Sequence, residues 1–465
     1  MTIKHTIPFL LAAAFLAKPA GAQAPIQSMN ANPVMADEAS FLNPAYLKNT
    51  GRLRVNIAPF LNGHIQAANS LLSTNDLINM FKSGDEESAG SRPISRAISN
   101  IQSQNTVNAM LDLTLLHVTS QFGSANNPWH AGFSVRQHIQ SQVKANDEFL
   151  RLLFEGNKQY AGTSISIEPR INMLSYADFG FSLSKTLTVS GFRITPAVRL
   201  RYLLGEGVIH TNQTALTLYT EENGEYLDVS GQLDGYAGGV INIGKIINVD
   251  DDSEDDDISR TPAGKGIGFD LGVTIEYKNL SLSLASIDNG KIKFKDESAW
   301  YISSQNTSYR WEGYDISADI NGQEASGNFS PFDSLDLKAI QEDFTVKIGS
   351  KFTVNANYGL KKKTDKKGMS YFNHNVGFSM IAGAKSRFNP EKPNWMTIYY
   401  QYNLANHLTL GVNYNKCLGA GDIGANFGFR VAGLNIGLGS NSLLALLNPD
   451  KSRKANAFFH LGFAF

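Results

Sequence analysis

The sequence has almost no cysteine, little charge and no long apolar run beyond its first residues. Cys417 is the single cysteine among 465 residues, which excludes a disulfide framework and a cysteine-based zinc site. Charged residues make up 18% of the chain and the formal net charge is −1, so we expect no nucleic-acid partner. After residue 25 no stretch is apolar for the ~18 residues that a membrane helix needs. Any membrane span in that part of the chain must therefore be a β-strand.

Motifs that would indicate an enzyme are also missing. The chain contains no G-x-S-x-G, no H-E-x-x-H and no C-x-x-C. Residues 419–424, GAGDIG, match a dinucleotide fingerprint, but the residues that follow alternate as a strand where a helix is required. We therefore predict no enzyme activity and no cofactor. His117, His130 and His138 lie in or near early predicted strands and could approach one another.

The first residues have the pattern of a secretory signal peptide. Lys4 and His5 precede an apolar run at residues 7–17, and residues 20–22 form an A-x-A cleavage site, with 22–24 as the alternative. The run is shorter than the ~20 residues of a spanning helix. We predict a cleaved signal peptide over residues 1–22.

Most of the remaining chain alternates between apolar and polar residues. In the segment 268–277, GFDLGVTIEY, every second residue is apolar, starting with Phe269 and Leu271. The segments 191–202, 394–403, 407–415, 422–431 and 434–439 alternate in the same way. A period of two indicates strands with one apolar and one polar face.

Such strands fit either a soluble sandwich or a membrane barrel. Three features favour the barrel: Tyr399, Tyr400 and Tyr402 cluster near a strand end like an interfacial girdle, the strands are about ten residues long, and short and long connections alternate. We predict an all-β fold, a closed antiparallel transmembrane β-barrel of about 14 strands, within a range of 12–16. A soluble periplasmic β-protein is the alternative.

The lengths of the connections orient the predicted barrel. If the last strand ends in the periplasm, the turns near 278, 404–406 and 432 lie inside, and the loops 248–265, 288–343, 385–393 and 440–454 lie outside. The basic connection 359–370 is an exception, long and inside, unless a missed strand within 300–316 changes the count. We expect it to be a solvated turn or to contact anionic lipid. Short loop helices are predicted over 69–81, 146–154 and 441–448.

Residues 38–47, EASFLNPAYL, precede the first predicted strand. This segment resembles the Asn-Pro-Ala segment of the long-chain fatty-acid transporter (FadL-like) barrels and of the related outer-membrane barrels of type IX secretion. The resemblance implies that Asn43, Pro44 and Ala45 belong to a hatch that plugs the lumen; an ordinary turn before the strand is the alternative. Segments 264–294 and 424–444 are similar to an uncharacterised Bacteroidota family of such barrels. The resemblance implies a 14-stranded barrel over 51–465 with an N-terminal hatch over 23–50.

Charged residues in the predicted strands give candidate lumen sites. Arg193, Arg199 and Arg201 share one strand face, and each would cost about 2–4 kcal/mol if it faced lipid at the bilayer midplane. They must face the lumen or the rim, where they could pair with Asp270 and Glu276 or attract an anionic head group.

Two further groups of residues are singled out by the sequence. The acidic run at 250–257 gives a weak calcium candidate, Asp250, Asp252, Asp255 and Asp257, although the run lacks the glycine and the terminal glutamate of an EF-hand loop, and a solvated loop tip is the alternative. The chain ends on an alternating strand that carries Phe463 and Phe465. We expect that strand to close the barrel against the first one.

These observations predict an exported protein in the outer membrane of a Gram-negative bacterium, in contact with outer-membrane lipid. The expected function is passive transport or binding of a small hydrophobic molecule past a displaced hatch. A groove for it could be formed by loop residues Trp300, Tyr301, Trp311 and Tyr314, whose alternative role is interfacial anchoring. The alternative function is a structural or secretion-associated scaffold that binds other proteins at the cell surface.

Overall fold

The structure, a computed structural model, describes residues 36–49, 53–57, 62–76, 91–124, 126–239, 263–295, 298–304, 308–311, 337–364, 370–384, 394–404, 407–417 and 420–465. The helices are α1 (Ala36–Ala39), α2 (Ser91–Ser99), α3 (Asp147–Glu155) and α4 (Leu444–Leu447), with 3-10 turns at Pro44–Asn49 and Lys158–Tyr160. Among these residues no helix has the length and apolar character needed to cross a membrane.

Strands make up most of the described chain. In chain order they are β1 (Leu53–Asn56), β2 (Gly63–Asn69), β3 (Gln104–Phe122), β4 (Trp129–Asn146), β5 (Ser164–Ile167), β6 (Arg170–Lys185), β7 (Leu187–Val189), β8 (Phe192–Thr220), β9 (Leu227–Gly239), β10 (Gly264–Tyr277), β11 (Leu280–Phe294), β12 (Ala299–Ser304), β13 (Ser308–Trp311), β14 (Leu337–Gln341), β15 (Phe344–Ile348), β16 (Lys351–Thr364), β17 (Ser370–Gly383), β18 (Asn394–Leu404), β19 (Leu408–Cys417), β20 (Ala420–Val431), β21 (Leu434–Ser440) and β22 (Lys454–Ala464).

The wall is a closed antiparallel barrel of 14 strands, as predicted. Together β1 and β2 form the first wall strand; β3, β4, β6, β8, β10, β11 and then β16 to β22 supply the other 13. The last strand closes the barrel, since Phe463 of β22 lies opposite Val55 of β1 and Phe458 lies opposite His64 of β2. The main-chain N–H of Phe465 also donates to the carbonyl of Leu53 at 2.8 Å.

The period of two separates the wall side chains into an outer and a lumenal set. Phe269 and Leu271 of β10 are 47% and 50% exposed, whereas Asp270 between them is fully buried. In β18, Ile398 is 59% exposed and Thr397 only 1%. An apolar outer face that continues around a whole barrel is far larger than the patches of soluble proteins. This face therefore lies in hydrocarbon, and the polar face lines the lumen.

Two expectations about the wall are wrong. Strands β3, β4 and β8 contain 19, 18 and 29 residues rather than about ten, because they continue beyond the hydrocarbon layer, and β8 continues into an outer sheet. Tyr399 faces the lumen, where its hydroxyl accepts a hydrogen bond from Asn355 Nδ2 at 3.1 Å. Only Tyr400 and Tyr402 of the expected aromatic group lie on the lipid side.

The outer sheet extends from the upper half of β8. The lower half of β8 pairs with β10 and the upper half with β9, which pairs in turn with β12 and β13. The predicted strand within 300–316 thus exists as β12 and β13, but it adds no strand to the wall. The count of turns is unchanged. Residues 359–364 of the expected basic connection belong to β16 and lie at the same end as the tight turns.

The helix predictions are confirmed in part. The helix expected at 146–154 is α3, and the one at 441–448 is the shorter α4. Of the segment 69–81, residues 74–76 are helical, and 77–81 lie outside the described residues. The sequence prediction missed α2, which contains Pro93; a proline in the first helical turn removes no intrahelical hydrogen bond.

The lipid-facing assignment can be tested with one substitution at two sites. We expect Ile398→Arg to destabilise the folded barrel in lipid vesicles by about 2–4 kcal/mol, because the charge enters hydrocarbon. Ile340 in β14 is as exposed as Ile398, 57% against 59%, but lies in the outer sheet. Ile340→Arg should therefore change stability by less than about 0.5 kcal/mol. Urea unfolding of both variants in vesicles measures the two changes in the free energy of unfolding. Equal changes would contradict the assignment of Ile398 to lipid.

Candidate functional site

A segment of the chain before the first strand lies inside the barrel. Residues 36–49, here named the lumenal segment, contain α1 and the 3-10 turn Pro44–Asn49. Ala39 and Ala45 are fully buried, and Leu47 is 1% exposed. The segment packs against lumenal side chains of the wall and fills the space between them.

Asn43 holds the lumenal segment to the wall through main-chain groups. Its Nδ2 donates to the carbonyl oxygen of Leu284 at 3.2 Å and, less closely, to that of Val273 at 3.4 Å. Its Oδ1 accepts the N–H of Ala45 at 2.9 Å, and Pro44 between them restricts the backbone. A Cβ atom at Gly272 would overlap Asn43 Oδ1. The absence of a side chain at Gly272 thus provides the space that Asn43 occupies.

Three other contacts hold the segment along its length. The hydroxyl of Tyr46 hydrogen-bonds Ser283, and Lys48 Nζ lies 2.7 Å from Glu276 Oε1. Leu42 packs with Ile381 and Trp395, and its carbonyl accepts a hydrogen bond from Thr353. These anchors belong to strands from β10 to β18.

A row of charged and titratable side chains crosses the lumenal face of eight consecutive wall strands. This charged belt consists of His64, Asp112, His138, Asp178, Arg201, Asp270, Asp288 and Lys351. His138 Nδ1 lies 2.6 Å from Asp112 and its Nε2 lies 3.6 Å from Asp178. Arg201 then contacts Asp178 at 2.7 Å and Asp288 at 2.7 Å, and Lys351 contacts Asp288 at 2.8 Å.

The structure brings together three of the five predicted lumen residues. Arg199 Nε donates to Asp270 Oδ2 at 2.6 Å, and Arg201 Nη1 lies 3.6 Å from Asp270 Oδ1. Arg193 lies apart from them at the inner rim, with 54% of its side chain exposed, 3.8 Å from Glu276. The two groups are therefore a buried lumenal cluster and a separate rim pair.

The sequence reasoning missed Asp178, Asp288 and Lys351. Asp178 occupies the polar position of an alternating strand, so the same pattern that indicated Asp270 could have indicated it. Asp288 had no such signal, because it lies within an irregularity in the pairing of β10 with β11. It adopts a φ of +58°, rare for a residue other than glycine, and its N–H donates to Asp270 Oδ1 at 2.7 Å.

Phe41 connects the lumenal segment to the charged residues. The guanidinium carbon of Arg136 lies 4.0 Å from the centre of the Phe41 ring, and that of Arg199 lies 5.2 Å away. The ring of His117 lies 4.8 Å from the same ring. Cations over an aromatic face attract it, and the attraction is stronger when water is excluded. Arg136 and Arg199 pair in turn with Asp112 and Asp270 of the belt, so they link the belt to the lumenal segment.

No metal site is found in the part of the chain that the structure describes. His117 contacts Phe41, His138 contacts Asp112, and His130 is buried elsewhere in the wall; no three His, Cys, Asp or Glu side chains there form a metal-binding group. The calcium candidate at Asp250, Asp252, Asp255 and Asp257 lies outside the described residues.

The loop groove expected from the sequence is replaced by strands. Trp300 and Tyr301 belong to β12 and Trp311 to β13, and Trp300 is 8% exposed. Trp311 packs on an apolar cluster that includes Leu216 and Val229. These side chains build the core of the outer sheet instead of lining an open groove. Tyr314 lies outside the described residues.

An apolar groove lies instead in the wall between β18 and β2. Its volume is about 980 Å³. Small residues such as Ala425, Ala455 and Ala457 form its floor, and larger lipid-facing side chains surround them. The larger side chains include Ile65, Tyr400, Tyr402, Phe427, Leu438 and Phe459. The groove therefore opens toward the hydrocarbon of the membrane.

The wall beside this groove is joined by side chains where a strand ends early. β21 stops at Ser440, so β20 and β22 continue toward the outer rim without a full strand between them. Ser442 Oγ bridges this gap, 2.6 Å from Asp422 Oδ2 and 3.1 Å from the carbonyl oxygen of Lys454. Asn441 accepts a hydrogen bond from Asn413 Nδ2 at 3.0 Å. Residues 440–442 and their partners are here named the seam.

A small polar cavity lies on the lumenal side of the seam. Its volume is about 20 Å³, enough for one water molecule, and Asn415, Asp422 and Asn441 line it. Four residues line both this cavity and the apolar groove: Ala67, Ser442, Ala455 and Asn456. At the seam a single layer of residues separates the groove from the lumen.

The role of Gly272 in holding the lumenal segment can be tested by substitution. We expect Gly272→Ala to displace Asn43 and to speed hydrogen exchange of residues 36–49 by about tenfold. Overpacking should destabilise the segment in its position against the wall by about 1–3 kcal/mol. Gly207 of β8 is the matched control, since a Cβ there would meet no atom within 4 Å. Gly207→Ala should leave the exchange unchanged, and equal exchange in both variants would show that Gly272 does not provide the space for Asn43.

Comparison with solved structures identifies other outer-membrane barrels. The Pseudomonas putida toluene transporter TodX has a TM-score of 0.42 at 10% identity, covering 92% of this chain and 94% of TodX. A Pseudomonas aeruginosa FadL homologue has a TM-score of 0.41 at 11% identity, covering 96% and 100%. A mutant porin of Rh. blastica has a TM-score of 0.20 at 10% identity, covering 89% and 100%. Likenesses at these scores assign no function.

A family model gives the clearer relationship. No curated protein matches the sequence. A family of unknown function, DUF5723, matches residues 44–441. The match begins at Pro44 in the lumenal segment and ends at Asn441 in the seam, so it includes most of the barrel. The chain belongs to the family of unknown function DUF5723.

Proposed function

We propose that this protein is an outer-membrane barrel that binds a small hydrophobic molecule in the wall groove and passes it between lumen and membrane at the seam. The observation that carries the proposal is the set of residues shared by the groove and the lumenal cavity. Ala67, Ser442, Ala455 and Asn456 line both the groove and the small cavity on the lumenal side of the wall.

The lining of the groove supports a ligand without charge. Its walls are alanine, leucine, isoleucine and aromatic side chains, with few polar atoms among them. Burial of apolar surface contributes about 25 cal/mol per Å², and a carboxylate in this place would lose its water without gaining an ion pair. The volume lies within the range of about 300–1,000 Å³ that is usual for small-molecule sites.

The bonding of the seam supports a passage at this point. Neighbouring strands such as β16, β17, β18 and β19 are joined by main-chain ladders along their length, and the bonds of a ladder must break together if the strands separate. At the seam, side-chain hydrogen bonds from Ser442, Asn413 and Asn415 replace part of the ladder. A bond between neutral groups contributes about 0.5–1.5 kcal/mol net, and the bond from Ser442 to the Asp422 carboxylate about 1.5–3 kcal/mol. Opening the wall here therefore requires less free energy than separating two strands that a full main-chain ladder joins.

The lumenal segment fits the role of a hatch in this proposal. It fills the lumen beside the belt, and polar anchors such as Asn43 and Lys48 hold it in a fixed position. A molecule that enters from the outer end must displace the segment or pass between it and strands β17 to β22. The sequence prediction that residues 23–50 act as a hatch is retained as part of the proposal.

The outer sheet favours a second candidate function, a surface scaffold for other proteins. Strands β9, β12, β13 and β14 extend the wall beyond the outer rim around their own apolar core. The resemblance to barrels of type IX secretion and to a Bacteroidota family points to this alternative. A scaffold requires neither a wall groove nor an opening seam, so the following experiments separate the two functions.

Filling the groove should abolish binding. We expect Ala457→Trp to lower the radiolabelled hexadecane retained by the purified protein by about fivefold or more, since the indole occupies the floor of the groove. Ala177 of β6 also faces lipid but lies outside the groove, so Ala177→Trp should leave retention unchanged. A protein-free micelle sample gives the background. Wild-type retention no higher than that background would refute the proposed function.

Weakening the hydrogen bonds of the seam should speed the passage of a hydrophobic molecule through the wall. We expect Ser442→Ala to increase the rate at which N-phenylnaphthylamine enters the membranes of cells that express the protein by about tenfold or more, the equivalent of one lost hydrogen bond to a carboxylate. Ser379→Ala removes another hydrogen bond of a lumenal serine, to the carbonyl of Val354, and should not change the rate. If cells with wild-type protein take up the fluorophore no faster than cells without it, the barrel is not a passage.

A further inference from the structure

The inner end of the barrel carries a concentration of positive charge. At the tight turns of this end, the described residues include Lys185, Arg193, Lys278 and Arg430 and the consecutive lysines Lys361, Lys362 and Lys363. One acidic side chain, that of Glu276, accompanies them among the described residues, and it already contacts Lys48 and Arg193. The described residues of the outer end include acidic side chains beside basic ones, such as Asp343 at 2.9 Å from Lys293 and Asp228 at 2.7 Å from Arg310.

Four of these lysines lie on two neighbouring turns. Lys278 belongs to the turn between β10 and β11, and Lys361, Lys362 and Lys363 belong to the end of β16. The N–H of Gly359 donates to the carbonyl of Asn279 at 2.9 Å and joins the two turns. All four lysine side chains are exposed. We name this group the basic rim.

The basic rim is presented on an ordered ribbon. Wall pairing of β16 with β11 ends where Tyr358 lies opposite Leu280, but β16 continues and pairs with β17 alone. In this extension Lys362 lies opposite Phe372, and Lys363 lies opposite Tyr371. The lysines therefore occupy fixed positions beyond the hydrocarbon-facing part of the wall.

The depth of these lysines matches that of lipid head groups. Tyr358 and Leu360 are the last lipid-facing residues of β16, 48% and 42% exposed, and Lys361 follows directly. A tilted strand advances about 2.5 Å per residue along the membrane normal, and the head-group layer of one leaflet is about 5–7 Å thick. Lys361, Lys362 and Lys363 thus fall within that layer.

We propose that the basic rim is a binding site for anionic phospholipids of the inner leaflet, whose phosphates contact Lys278, Lys361, Lys362 and Lys363. Lysine ammonium groups are long, flexible donors that suit a phosphate oxygen in a hydrated layer. Each lysine near an anionic lipid surface contributes about fivefold in affinity. The site anchors this end of the barrel and is independent of the function proposed for the groove.

The test compares lipid retention by charge variants of the full chain. The protein is reconstituted into nanodiscs of equal amounts of phosphatidylglycerol and phosphatidylethanolamine, released into mild detergent, and its retained lipids are counted by native mass spectrometry. We expect wild type to retain phosphatidylglycerol in preference to phosphatidylethanolamine. Lys361→Gln, Lys362→Gln and Lys363→Gln combined should lower that preference at least about tenfold.

The matched control removes three exposed lysines from the outer end. Lys265, Lys291 and Lys347 lie in β10, β11 and β15, and their replacement by Gln changes the net charge by the same amount. This control should retain the wild-type preference. If both triple variants lose it equally, the effect is one of net charge and the site is refuted. The site is refuted equally if wild type shows no preference, as it would if the rim served only an acidic protein partner.

A further variant distinguishes loss of the binding site from loss of the folded barrel. Lys278→Gln changes a single turn residue and should lower the preference by about fivefold. Heat-modifiable migration on a denaturing gel shows which variants are folded barrels. A folded Lys278→Gln variant and a folded triple variant that both keep the wild-type preference would overturn the proposal.

Discussion

Everything in this structure depends on the need to pair main-chain N–H and C=O groups inside hydrocarbon. No water is available there, and each unpaired group costs several kcal/mol, so a strand at the edge of an open sheet cannot face lipid. β22 satisfies this constraint by pairing with β1 and β2 and closing the wall. Closure also fixes the two environments that the alternating pattern must meet, hydrocarbon outside and a narrow polar lumen inside.

The lumen then imposes a second constraint, because charges removed from water must pair with one another. Four carboxylates, those of Asp112, Asp178, Asp270 and Asp288, face the basic groups of Arg136, Arg199, Arg201 and Lys351. Removing one member of such a buried pair costs about 3–5 kcal/mol, because its partner is left uncompensated. The belt therefore makes one side of the barrel rigid, and Phe41 and Asn43 fasten the lumenal segment to that side.

The sequence was sufficient for the features that follow from local periodicity. The alternation over residues 268–277 assigned Phe269 and Leu271 to lipid and Asp270 to the lumen, and the terminal strand was recognised from Phe463 and Phe465. What it could not provide depends on pairing between distant strands. The division of β8 between two sheets, the left-handed backbone of Asp288 and the early end of β21 all arise from register, which no local pattern encodes.

The distribution of polar groups in the lumen makes the two sides of the barrel unequal. From β2 to β16 the lumenal face holds a continuous series of ion pairs. From β17 to β22 it holds mainly neutral amides and hydroxyls, such as Asn375, Thr397 and Gln401, and one ion pair at the seam, with Lys454 Nζ 3.8 Å from Asp422 Oδ2. Hydrogen bonds between neutral groups contribute about 1 kcal/mol each and can exchange for bonds to water at little cost. Charged pairs that separate in a closed lumen find too little water to replace the lost interaction. The proposed opening of the wall therefore costs least between β17 and β22, where most lumenal groups are neutral. The seam and the apolar groove both lie on that side.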